Sequence, residues 1–283
     1  VFGQTFQDFE VILLDDASTD GSQTILEAYK NHPKVAHLVI NPNNSGSPFK
    51  QWQKGINLAK GDYIWIAESD DYCEPNFLES LLQAMNEKIS ICYAQTIDVD
   101  ENGKKLMNRI EYTKEFLPNI WTADFEMEGK SFIEKYLTVK NVIPNASAVV
   151  FKRELVDKTV FSEKLLNMKM CGDWYFWAMA MGNTRFAFKA KPLNYFRDHA
   201  AISRKHTTKK QKKQRLVEEA EIHSAILEEH QMLNLQSCKS LTKKWCKLHS
   251  TSELFSKRFY KIKIPGTSKF SLLLAFVHYK ITN

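Results

Sequence analysis

Four segments of this chain place side chains where chemistry could use them. Glu68-Ser69-Asp70-Asp71 puts three acids into four residues. Acids so close repel one another, and a hard divalent cation offsets that repulsion. Mg²⁺ or Mn²⁺ is commonly shared between one or two carboxylates and substrate phosphates. The alternative is a solvated acidic turn with Asp71 near the start of the next helix. Asp15 and Asp16 open the run DDASTDGS. A carboxylate just past a strand can accept a hydrogen bond from a base N–H or a ribose hydroxyl, while Ser18, Thr19 or Asp20 caps the helix that follows. Gly172-Asp173-Trp174 sets an acid at the head of an aromatic-rich segment. There it can serve as a general base toward a hydroxyl or simply as a cap. The fourth segment, Tyr195-Phe196-Arg197-Asp198-His199 with Ser203-Arg204, offers Arg, His and Ser to hold phosphate or complete a metal shell. For His199 the alternative is a surface or structural histidine.

The apolar pattern supplies the elements that position these groups. Residues 9–16 (FEVILLDD) form a short apolar run ending in acids, a buried parallel strand by pattern. Helical spacing follows over 23–31, a second strand over 35–41, and a loop dense in turn formers, NPNNSGSP. Residues 49–59 read as helix and 61–68 (GDYIWIAE) as a strand running straight into the acids. Pro75 opens a helix to about Glu87, and 89–100 (ISICYAQTIDVD) is the next strand. Residues 109–128 read as an irregular excursion. A helix over 130–138, strands at 146–151, 186–189 and 193–196, and a buried helix over 171–182 complete the body. Strands alternating with helices of this length predict βαβ units and a parallel sheet, with ligands at the carboxyl ends of the strands. Both acidic clusters fall at such ends. The long helix expected over 209–232 belongs to a separate, charged region.

Charge divides the chain in the same place. The 283 residues carry 39 Lys+Arg and 33 Asp+Glu, a net charge of +6. From Arg204 onward there are 17 basic against 6 acidic residues, a net +11, which leaves an acidic body of −5. Such a tail suits an anionic partner: acidic lipid, a phosphate-bearing acceptor, or nucleic acid. The segment Lys257–Gly266 (KRFYKIKIPG) interleaves aromatic and basic residues. Its reading is a solvated or membrane-facing surface, with no nucleic acid expected. The five cysteines, Cys73, Cys92, Cys171, Cys238 and Cys246, are odd in number and form no CxxC pair. Reduced thiols in a cytoplasmic protein are expected, and Cys238, Cys246 and His249 match no zinc spacing. No run approaches the roughly 18–20 apolar residues of a membrane span. The opening VFGQTFQDF has neither an initiator Met nor the basic start and apolar stretch of a secretory signal.

Taken in order, EVILLDDASTDGS, NNSGSPFKQWQKGINLAKGDYIWIAESDDYCEP, CGDW and YFRDHAAISR resemble the family 2 glycosyltransferases over about residues 1–205. The resemblance implies a GT-A fold, a Rossmann-like α/β sheet over 1–205, with 206–283 as a basic helical C-terminal extension. It implies metal-assisted, inverting transfer of a sugar from a nucleotide-sugar, UDP by family habit, to a glycan or lipid-linked saccharide in polysaccharide biosynthesis. Asp16, with Asp15 beside it, would contact the base. Asp70 would be the principal ligand of Mn²⁺ or Mg²⁺ in a DxD-type motif whose first position is Glu68. Asp71 would assist at the donor, Asp173 would be the catalytic base, and His199 would lie near metal or diphosphate. Lys50, Lys54 or Arg204 would hold phosphate. Such enzymes begin with an apolar strand and a Pro-x-Tyr-Asn-like turn, and VFGQTF resembles the end of the helix after it. The expectation is therefore a chain without its first strand, cytoplasmic or peripheral at the inner face of a membrane. Two other readings stand beside it: a nucleotidyltransferase with a related acidic site, and an inactive fragment serving as a basic scaffold.

Overall fold

The computed structural model describes residues 1–156, 160–198 and 206–282. They fall into two compact units. The first takes 1–126, 143–167 and 184–198; the second takes 127–142, 168–183 and the chain from 199 onward. The second unit is thus more than a C-terminal extension, since two excursions of the body belong to it.

In the first unit, β1 (Val11–Asp15) and β2 (Val35–Ile40) pair in parallel, Leu13 opposite Leu38 and Asp15 opposite Ile40. The connection between them is α1 (Ser22–Ala28). Next comes α2 (Pro48–Leu58), displaced by one residue from the helix expected over 49–59: Ser47 stands at the N-cap and Pro48, read as loop, in the first turn. Its buried residues, Phe49, Trp52 and Ile56, lie on one face. The larger sheet follows the order β3 (Tyr63–Trp65), β8 (Val149–Lys152), β5 (Ile89–Asp100), β9 (Arg185–Asp198), β4 (Tyr72–Cys73). Between β4 and β5 lies α3 (Phe77–Leu82), and β6 (Lys105–Asn108) returns antiparallel on β5. β7 (Phe125–Glu128) joins the same sheet off its main path, and the short helix α5 (Glu163–Asn167) follows β8. Central β5 is buried along nearly its whole length, as a near-continuous apolar run requires when both faces are covered. Ile89, Cys92 and Ala94 from it join Phe77, Leu78, Leu81, Val150, Ala187 and Leu193 in one core.

The expected parallel sheet is corrected here. β1–β2 and β5–β9 are parallel, but β3–β8, β5–β8 and β4–β9 are antiparallel. Strand partners are chosen across long sequence separations, and a strand's own period does not name its neighbour. Three boundaries also differ. The third strand keeps only Tyr63–Trp65, because Ser147 takes the Glu68 N–H and the chain turns off the sheet. The helix expected from Pro75 is limited to Phe77–Leu82. The two strands expected at 186–189 and 193–196 are one, with a register shift where Gln95 lies opposite Pro192. Proline has no N–H to give the ladder, and a shift there accommodates it.

The second unit begins with α4 (Gly129–Phe132), which continues as a π-helical turn through Leu137. The helix α6 (Gly172–Met181) is buried on all sides, with Trp174, Phe176, Trp177 and Met181 inside. Each such side chain contributes roughly 1.5–3 kcal/mol. The long helix α7 (Lys209–His230) opens on a capping box, Thr208 with Gln211. With α8 (Leu235–Lys247) and α9 (Lys269–Thr282) it encloses a core of Leu216, Ala220, Leu241, Trp245, Phe259, Leu272 and Phe276.

Candidate active site

The acids after β3 gather a polar network that their own segment does not reveal. Asp71 Oδ1 accepts from the Arg197 N–H at 3.1 Å, and Asp71 Oδ2 accepts from Asn145 Nδ2. Ser147 also hydrogen-bonds the Asp71 carboxyl and supports the loop through the Glu68 N–H at 3.0 Å. Asn145 Oδ1 accepts from Asn194 Nδ2 at 2.9 Å, and Asn194 Nδ2 also reaches Thr96 Oγ1 at 3.1 Å. Asn194 is fully buried and its Oδ1 has no partner. Burial, with the neighbouring Asp70 charge adding to it, pushes the Asp71 carboxyl up to about 6 against these hydrogen bonds. The alternative in which Asp71 caps the next helix does not hold, since Asn76 is the residue before α3.

Arg197 is committed to this loop. Its Nε donates to the Asp70 carbonyl at 2.8 Å and a terminal nitrogen to the Glu101 carbonyl at 2.6 Å. The guanidinium also lies over Tyr72, which stacks on Tyr195 with centroids 4.6 Å apart. Tyr195 Oη donates to Glu74 at 2.5 Å, and that hydrogen bond, with burial adding to it, pushes its hydroxyl up to about 12. A cleft of about 420 Å³ opens beside the loop, lined by Trp65, Glu68, Asp71, Ser147 and Asn194 among others. It is the right scale for a small ligand, with polar side chains among its lining.

The other acidic pair organises the end of β1. Asp15 is buried and accepts from the Ser18 N–H and Gln23 Nε2, both at 3.0 Å. Asp16 Oδ1 accepts from Asn41 Nδ2 at 2.7 Å, Gln51 Nε2 at 2.8 Å and the Ser45 N–H at 2.9 Å, and Oδ2 from Ser45 Oγ at 2.7 Å. Burial pulls both carboxyls upward, and the hydrogen bonds outweigh it, leaving both below the usual range. Asp16 therefore ties the loop after β2 to α2, with room left mainly at Oδ2. Lys54 donates to Asn41 Oδ1 and adds its charge beside Asp16. Lys50 reaches the Ser45 carbonyl at 3.3 Å. The cap of α1 falls at Gly21 (φ 88°), not at Ser18, Thr19 or Asp20. The left-handed backbone suits glycine there, and Asp20 accepts the Ser22 N–H instead.

Asp173 belongs to the second unit. It stands in the first turn of α6 with Cys171 at the N-cap, so it is not itself the cap. Its carboxylate accepts from Asn141 Nδ2 at 2.8 Å, and burial raises its proton affinity against that bond and the Arg215 charge. The segment before it is clamped from α7. Buried Glu218 accepts the backbone N–H groups of Lys169, Met170 and Cys171 at 2.9–3.0 Å, and Gln214 Nε2 at 3.0 Å. His199 and Arg204 lie outside the described residues.

The family model for glycosyl transferase family 2 matches residues 1–159. The chain belongs to this family. Among its relatives, the uncharacterized glycosyltransferase MJ1057 of Methanocaldococcus jannaschii is 28% identical over 186 residues, 65% of this chain and 58% of that protein. The chondroitin synthase of Escherichia coli is 33% identical over 108 residues, 37% of this chain and 15% of that one. This family member thus spans less than two thirds of the length of either. Among solved structures, S. aureus TarS 1–349 in complex with UDP-GlcNAc aligns over 98% of this chain and 82% of its own, with a TM-score of 0.58 and 16% identity. The shared architecture is the GT-A fold, the α/β sheet with helices following it. Asn145, Ser147, Asn194 and Glu218 were not legible as site residues. A buried asparagine inside an apolar segment was the one available signal, and Asn145 and Asn194 both carry it.

A cation would suit the acids only in part. Among the described residues no three His, Cys, Asp or Glu side chains are grouped to hold a metal. The donor set is nonetheless all oxygen, and Mg²⁺ or Mn²⁺ needs only one or two carboxylates when phosphates and waters complete the shell. Asp70, beside the raised Asp71, fits that requirement.

Proposed function

We propose that this chain transfers a sugar from a nucleotide-sugar to the hydroxyl of a glycan or lipid-linked saccharide, with inversion at the anomeric carbon. The carrying observation is the cleft beside Glu68, Asp70 and Asp71, in a chain of this family. The UDP-GlcNAc bound by TarS supports a UDP-sugar as donor, and the chondroitin synthase relative supports a role in polysaccharide synthesis. Asp16, with Asp15 beside it, would accept from the base through Oδ2, and Lys54 would add charge beside it. Asp70 would hold Mn²⁺ or Mg²⁺ with Glu68 and Asp71 at the donor. Such an ion, when bound, supplies Lewis-acid stabilisation of the charge developing on the diphosphate. A cation there would also favour the ionised form of Asp71, whose proton affinity burial and the Asp70 charge raise. Asp173, its proton affinity raised by burial, would take the acceptor proton as the oxygen attacks. The unpaired thiols agree with a cytoplasmic site of action, and the basic C-terminal region would meet an anionic membrane carrying the acceptor.

Release of nucleoside diphosphate from a panel of UDP- and GDP-sugars, with Mn²⁺ or with EDTA, tests this reading. Cation-dependent release from one donor is expected. Nucleotide attached to the product in place of free diphosphate would mean nucleotidyl transfer instead. Asp173→Asn should bind donor as before and turn over at least about a hundredfold more slowly, the usual scale for general-base loss. Unchanged turnover in the folded variant would remove Asp173 from that role.

A further inference from the structure

Helix α9 is apolar on two opposite sides. Leu272 and Phe276 are buried in the helical core, with Ala275 and Tyr279 packed against it. Phe270, Leu274, Val277 and Ile281 point the other way and are 68%, 53%, 42% and 80% exposed. Their spacing of four, three and four residues puts them on one narrow stripe of a helix. Phe255, 91% exposed, adds a further apolar side chain on the same unit. A continuous apolar stripe in water marks an interaction surface, whereas single exposed residues do not.

The charge around this stripe says what covers it. After Glu253 the sequence has no acidic residue and six basic ones: Lys257, Arg258, Lys261, Lys263, Lys269 and Lys280. All six are exposed, and none forms an ion pair with a described residue. Lys261, Lys263 and Lys269 line a cleft of about 410 Å³ with Ser224, Thr267 and Ser268, next to the start of the stripe. Two copies joined through this face would bring together the Lys269 and Lys280 of both and their neighbouring cations, with no acid after Glu253 to offset them, which opposes self-association. Nucleic acid would answer the lysines but leave Leu274, Val277 and Ile281 in water. An anionic bilayer answers both, with phosphate at the lysines and acyl chains at the stripe.

We propose that α9 lies in the plane of an anionic membrane, with Phe270, Leu274, Val277 and Ile281 inserted and the flanking lysines on lipid phosphate. The proposal specifies the membrane contact suggested above and does not depend on the transfer chemistry. The 283-residue chain is mixed with vesicles of phosphatidylglycerol and phosphatidylcholine, or of phosphatidylcholine alone, and floated through a density gradient. It should float with the first and stay behind with the second. Leu274→Ser/Ile281→Ser should reduce the bound fraction on the order of tenfold, and Lys261→Glu/Lys263→Glu/Lys269→Glu by at least as much. All five positions are exposed, so circular dichroism and donor release should match the parent chain. Flotation of the Leu274→Ser/Ile281→Ser variant like the parent would overturn the assignment, as would equal binding to both lipids. Sedimentation showing a dimer that this variant loses would assign the stripe to a second copy instead. Loss of flotation with donor release intact keeps the membrane question separate from the transferase.

Discussion

Replacing Asp71 by Asn should make the ligand-free protein more stable at neutral pH while removing its activity. Burial, the neighbouring Asp70 charge and incomplete compensation hold the Asp71 carboxyl at about 6 instead of 3.8. The folded value lies above the unfolded one, so the folded chain binds the extra proton. Stability is then fully present below about 3.8 and is lost as pH rises through about 6. Keeping the acid ionised costs roughly 2–3 kcal/mol. Asn is neutral and nearly the same shape. It needs its neighbours to turn over: Asn145 presents Oδ1 to residue 71, Asn194 presents Oδ1 to Asn145, and Thr96 donates to Asn194. Asn194 Oδ1 is already unpaired, so the turnover exchanges one unpaired amide atom for another. The gain should therefore approach the full ionisation cost above pH 7 and vanish near pH 4. In thermal unfolding that is about 4–10 °C at neutral pH for a unit of this size. Mn²⁺ should narrow the gap, because a cation at Asp70 favours the ionised acid. An Asp71→Asn variant less stable than the parent at neutral pH, or a gap independent of pH, would refute the reasoning.

Asp16→Ala removes four acceptor contacts from the loop that joins β2 to α2 and should cost about 2–4 kcal/mol in urea unfolding at pH 7. The Asp16 carboxyl is held low, so its contribution is present above the ordinary 3.8 and is lost as pH falls through the lower folded value, where the two chains should converge. Glu218→Ala leaves three backbone N–H groups and the Gln214 amide without their acceptor and should cost about 3–5 kcal/mol, with Glu218→Gln intermediate because only one oxygen remains. Hydrogen exchange at Lys169, Met170 and Cys171 should report the loss directly, and unchanged protection there would remove Glu218 as the clamp before Asp173.

What could be read from the residues, and what could not, separates along a physical line. The acids at strand ends, the helix expected over 49–59, the β5 run and the aromatic α6 are local statements, each written in the composition and period of its own segment. The antiparallel pairing of β8 between β3 and β5 is not local, since it joins Ile64 to Phe151 and Phe151 to Ile91. The same holds for function. Asp71 is visible as an acid, but its raised proton affinity comes from its burial and the Asp70 charge, which prevail over hydrogen bonds from Asn145, Ser147 and Arg197, 74 to 126 residues away. Asp16 reads as a free carboxylate in its own segment, yet Asn41, Ser45 and Gln51 have already filled most of its acceptor capacity. A motif thus names which group can react, and the balance between burial and hydrogen bonds from distant residues sets its charge state. Uncharged substitutions at Asn145 and Asn194, which no pattern of acids would single out, should for that reason alter donor binding as strongly as changes to the acids themselves.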